Sequence, residues 1–180
     1  MDQFGPRIGA YILPMDFCAV CGYDFNAITA DRIVPRIRTG TSEICEILDP
    51  RAALTVSPDL TTRRAPDVWS PLEYAAHVRD LLLHDRGTIA AALAEDTPTR
   101  QRMFSDLRVD AGMYAHELAA ETAQGLGVAT ELFAASFTVL SPSQLERTAV
   151  CFDEPHTLLW VGALAVHEVE HHLGDIRAQS

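Results

Sequence analysis

The chain has 180 residues, 48% of them hydrophobic and 22% charged, the proportions of a single globular domain large enough to bury a core. Its 14 Lys and Arg stand against 25 Asp and Glu, a net charge of -11, which repels a phosphate backbone and argues against nucleic-acid binding. No apolar stretch reaches the roughly eighteen residues of a membrane span. Met1-Asp2-Gln3-Phe4 lacks the basic-then-apolar start of a secretory signal, so a cytoplasmic protein is expected.

Residues 1–27 read as an irregular arm carrying Phe4, Tyr11, Phe17, Tyr23 and Phe25. It is too apolar for a disordered tail and is expected to pack across the main domain, residues 28–180. A first helix is expected over about 30–48, from the stripe Ile33, Ile37, Ile44, Ile47 and Leu48. Pro35 and Gly40 weaken it, and Asp49-Pro50 ends it.

The second helix has the strongest start. Ser70-Pro71-Leu72-Glu73 puts serine at the cap, proline at the first helical position and glutamate three after the serine: a capping box. Trp69 can staple onto it, and Asp96-Thr97-Pro98 closes it. A polar loop with Arg100, Arg102, Asp106 and Arg108 should follow. A third helix is expected over about 114–139 (Leu118, Leu126, Ala129, Phe133, Phe137) and ends at Ser141-Pro142. Residues 145–156 read as a connector with an extended stretch at 148–152. A fourth helix should start at the cap Thr157 and run to about Ile176. Four amphipathic helices with long connections imply an all-α four-helix bundle preceded by the arm.

Three histidines carry the chemistry. His167 and His171 are four apart, one turn on the same helix face. His77 lies about two turns into the second helix. If that helix faces the fourth, which periodicity does not decide, the three imidazoles can hold one divalent ion with a position open for water or a thiol. Three imidazoles suit zinc best, with nickel, iron or copper as alternatives. Asp80 and Asp175 could accept from ring N–H groups, or simply lie on solvated helix faces. His84 could be a ligand or a pocket wall. His172 should point about 100° away from His171, toward the surface. His116 and His156 have no partner at ligand spacing.

His167-Glu168-Val169-Glu170-His171 matches the zinc-protease string H-E-x-x-H. The next ligand position, 177, is an arginine, and all four methionines lie upstream, so proteolysis is disfavoured. Glu168 remains a candidate base. Cys18-x-x-Cys21 is half of a zinc-ribbon pattern. Cys45 and Cys151 are too scattered to complete it, which favours a structural or incidental role for the pair.

Trp69-Ser70-Pro71-Leu72-Glu73-Tyr74-Ala75-Ala76-His77-Val78-Arg79-Asp80 and His167-x-x-x-His171-His172-Leu173-x-Asp175-Ile176 resemble the signatures of the DinB/YfiT-like superfamily. The arm with Cys18-x-x-Cys21-Gly22-Tyr23-Asp24 is similar to the start of an actinobacterial branch. The resemblance implies an up-down-down-up bundle and a metal held at His77, His167 and His171. It also implies a low-molecular-weight thiol, of the mycothiol type, as cosubstrate of an S-transferase acting on a small electrophile. A metal-dependent hydrolase and a non-catalytic metal-binding module are the alternatives, and a homodimer is compatible with either. A basic pocket for the thiol's polar tail, with Arg63, Arg64 and Arg79 as candidates, would favour transfer.

Overall fold

Ser70 forms the capping box its sequence announces. Its Oγ accepts from the Glu73 N–H at 3.2 Å and its own N–H donates to Glu73 Oε2 at 2.8 Å, so helix α2 (Pro71–Ala94) starts with its first donors satisfied. Trp69, one residue before the cap, packs on Tyr74 in the first turn, ring centroids 5.3 Å apart. Arg63 grips the same Glu73, tying the preceding loop to the helix.

In a computed structural model, which describes residues 16–49 and 59–179, the other long helices are α1 (Ala30–Leu48), α4 (Ala119–Thr138) and α6 (Leu158–Arg177). Phe4, Tyr11 and residues 50–58 lie outside the described part. Helix α1 survives both of its weak positions. Pro35 sits near its start, and at Gly40 a Cβ would lie 2.5 Å from Val169 Cγ1, so glycine lets α1 and α6 approach closely. Thr157 caps α6 by accepting from the Trp160 N–H at 3.1 Å.

The structure departs from the expected elements in three places. The polar loop contains a short helix, α3 (Ser105–Asp110), and α4 begins at Ala119 rather than near 114. Turns around Gly112, whose φ is +69°, occupy the interval. A four-residue helix, α5 (Pro142–Leu145), carries its own capping box at Ser141. The connector is an antiparallel hairpin, β1 (Thr148–Cys151) and β2 (Glu154–Thr157), with both turn residues, Phe152 and Asp153, at positive φ.

The bundle places α4 and α6 each against both α1 and α2. Its order around the core is therefore α1, α4, α2, α6, with α1 diagonal to α2 and α4 diagonal to α6. Residues 16–27 cover a further side of α6: Phe25 stacks on Trp160 at 5.6 Å and Tyr23 meets His167 at 5.4 Å. Helix α6 is thus walled by α1, α2 and the arm, and most of its residues are buried. None of the described helices is long and apolar enough to cross a membrane.

Candidate metal centre

Helix α6 carries two interleaved pairs at i,i+4: His167 with His171, and Glu168 with His172. Successive residues differ by about 100° around a helix, so the two pairs face different neighbours. The second pair faces α2. One donor atom from each of His77, Glu168 and His172 lies within 4.8 Å of the others. The first pair faces the arm, where His167 and His171 gather with Cys18 and Cys21 under the same limit. The three histidines expected to share an ion are thereby divided, His77 in one group, His167 and His171 in the other. The rotation of α6 decides this, and both pairs have the same spacing in sequence.

The group at α2 is buried. His77 Nε2 stands 3.3 Å and His172 Nε2 stands 3.4 Å from Glu168 Oε2. His172, expected at the surface, is only 2% exposed, because α2 and the Trp69–Tyr74 staple cover its face of α6. Its ring stacks on Tyr74 at 5.1 Å, and Trp69 meets His77 edge-on at 5.3 Å. His172 Nδ1 donates to Asp175 Oδ2 at 2.8 Å, the outer contact that orients many metal-binding imidazoles. Asp80, the other expected acceptor, is instead committed to Arg79, Arg108 and Tyr114. His84 donates to the Gln101 carbonyl at 2.7 Å, and His156 stacks on Trp160 at 3.8 Å.

Electrostatics follow from these contacts. Burial opposes the Glu168 charge, but His167, His172 and His77 outweigh it and hold the carboxyl well below its usual range. Burial also opposes charge on His172, but Asp175 and Glu168 push it up to about 9. Burial keeps His77 low, and so neutral.

The donor spacing fits a shared cation. Tetrahedral ligands at about 2.0–2.1 Å from an ion stand about 3.3–3.4 Å from one another. A direct charge-assisted N–H···O bond would close to about 2.7–2.9 Å. The 3.3 and 3.4 Å separations at Glu168 Oε2 suit the first value, and without an ion the same contacts are long hydrogen bonds. Two imidazoles and one carboxylate are also a known open zinc set. The sequence held a signal for this second pair in the 168/172 spacing, but a glutamate beside a more obvious histidine pair obscured it.

The DinB superfamily profile matches residues 48–176, and the chain belongs to that superfamily. The structure of YfiT from Bacillus subtilis, described as a probable metal-dependent hydrolase with an unusual four-helix bundle topology, superposes with a TM-score of 0.70 over 86% of this chain and 89% of that one. At 16% identity the likeness is one of fold. No curated protein matches the chain in sequence.

Proposed function

We propose that this chain is a divalent-metal-dependent hydrolase of small molecules, with zinc the leading ion, held by His77, Glu168 and His172. The observation that carries the reading is the meeting of these three donors at the α2–α6 contact, all within 4.8 Å of one another and with both imidazoles 3.3–3.4 Å from one Glu168 oxygen. An ion held by three donors keeps an open position and supplies the Lewis acidity that activates water, or a thiol, at neutral pH. Around it, Asp175 fixes the His172 ring, and the capping box and staple of α2 fix where His77 enters. A carboxyl whose pKa is held this low is a weak base, so Glu168 serves as a ligand rather than as the general base.

Hydrolysis leads over thiol transfer because the candidate basic pocket is spoken for. Arg63 pairs with Glu73, Arg79 with Glu117 and Asp80, and Arg64 donates to the Ala178 carbonyl. The fold likeness to a protein described as a probable metal-dependent hydrolase supports the same order.

The test loads the metal-free chain with zinc. It measures binding by calorimetry and turnover on a panel of chromogenic esters, amides and lactones, beside a bimane assay of mycothiol consumption. His172→Ala should abolish binding at this centre and turnover with the helix content retained. Asp175→Asn should weaken binding about 10–100-fold. Zinc-dependent thiol consumption without hydrolysis would overturn the reading in favour of transfer. Unchanged zinc affinity in His172→Ala would overturn the centre itself.

A further inference from the structure

We infer that Cys18, Cys21, His167 and His171 form a second, closed zinc site that clamps the N-terminal segment to α6. The inference does not depend on the proposed hydrolase, since none of these four residues belongs to the His77 group.

The local backbone prepares the two sulfurs. Gly22 takes φ +77°, its N–H donates to the Cys18 carbonyl at 2.9 Å, and the Cys18 N–H donates to the Tyr23 carbonyl at 2.8 Å. A bridge between Phe17 and Asp24 closes the loop. The turn folds Cys18-x-x-Cys21 onto itself, as a two-thiolate metal knuckle requires. Both cysteines are free thiols.

Helix α6 supplies the other half. His167 and His171 lie one turn apart, ring centroids separated by 5.1 Å. The His171 Nδ1 stands 3.9 Å from Cys18 Sγ. Sulfur and nitrogen ligands of one tetrahedral zinc stand about 3.5 Å apart, so a few tenths of an ångström close this gap. His167 provides an independent pointer: its Nδ1 meets Glu168 Oε1 at 3.2 Å, while its Nε2 is buried with no hydrogen-bond partner. A carboxylate behind one ring nitrogen with the other left free is how metal-binding imidazoles are oriented. Tyr23 and Phe25, centroids 5.4 and 5.0 Å from the His167 ring, hold that ring between them.

Four donors fill a tetrahedral shell, which marks a structural site rather than a catalytic one. It explains how residues 16–27, joined to the bundle through side chains, are held on α6. Cys18 and His171 are 153 positions apart, so the ion joins distant parts of the chain.

The test uses the full chain under reducing conditions, with zinc counted by elemental analysis and cobalt as a spectroscopic substitute. The parent should show a thiolate-to-cobalt charge-transfer band and the intense visible bands of tetrahedral cobalt. Cys18→Ser/Cys21→Ser should lose the charge-transfer band and one equivalent of zinc. His77→Ala/His172→Ala should keep the band, so loss of the proposed hydrolytic centre is read separately. Absence of a charge-transfer band in the parent, a measurement that needs no variant to fold, would overturn the inference. So would an unchanged cobalt spectrum in Cys18→Ser/Cys21→Ser.

Discussion

Raising the pH on the metal-free chain should destabilise it through one imidazole. His172 is displaced from its ordinary 6.5 to about 9 because Asp175 and Glu168 outweigh the cost of burying its charge. The folded state therefore holds the proton more tightly than the unfolded one. The resulting stability is fully present below pH 6.5 and is lost as the pH rises through about 9. At about 1.4 kcal/mol per pH unit the displacement amounts to roughly 3 kcal/mol, a fall in Tm of about 10 °C for a domain of this size. Cys18 works in the opposite direction. Its folded pKa is depressed, so its contribution is present above the unfolded thiol pKa and lost as the pH falls through about 7. The comparison therefore belongs in a Cys18→Ser/Cys21→Ser background, with and without His172→Gln. The chain has no lysine; burial raises the Cys45 and Cys151 thiols and Tyr23, Tyr74 and Tyr114, and the stability these lose as the pH rises is common to both chains and cancels in the comparison. Urea unfolding in the presence of chelator should show the stability advantage of the background chain over its His172→Gln variant shrinking by roughly 3 kcal/mol between about pH 6 and about pH 10. An advantage that stays constant over that range would refute the picture of an imidazolium held between two carboxylates.

Two further perturbations test the frame around the site. Arg100 Nε donates to Asp85 Oδ1 at 2.7 Å, and Asp85 is fully buried, so Arg100→Ala should cost about 3–5 kcal/mol by urea unfolding; burial already pushes the Asp85 carboxyl up, so part of the loss should return at acid pH as it protonates. Gly162→Ala would put a methyl 2.5 Å from Phe137 Cε2 and 2.7 Å from Ile33 Cδ1; a Tm lowered by the equivalent of about 1–3 kcal/mol is expected, and an unchanged Tm would refute the close packing of α6.

Helix starts were the most legible features of the sequence because their chemistry is local. Ser70-Pro71 and Thr157 cap where their residue types say they should. The start of α4 was not legible, since the turns before it depend on Gly112 at φ +69° and on the docking of α3, with Val109 buried. The hairpin turn has Phe152-Asp153 rather than Asn-Gly, so its positive φ values carried no sequence signal. In the site, His77 and the clustered histidines of α6 were visible as donors. Their division between two groups was not, because 167/171 and 168/172 have identical spacing. Only the packing of α6 against α2 on one side and the arm on the other tells them apart.

That division also separates the roles by charge. Two thiolates cancel a divalent ion, so a Cys18, Cys21, His167, His171 set would be electrically neutral when loaded, and its buried half, Cys18 and His167 beside Tyr23 and Phe25, would be left with no uncompensated charge. One carboxylate cancels only half of such a charge, so the His77, Glu168, His172 set proposed for catalysis would retain a net positive charge when loaded, the condition for polarising a bound oxygen or sulfur. Glu168 stands between the two, with Oε1 toward His167 and Oε2 toward His77 and His172. The two groups therefore share a contact with one carboxylate. His167, held between Tyr23 and Phe25 of the arm, meets one oxygen of Glu168 while His77 and His172 meet the other, so the arm side and the α2 side of α6 are bridged by a single side chain.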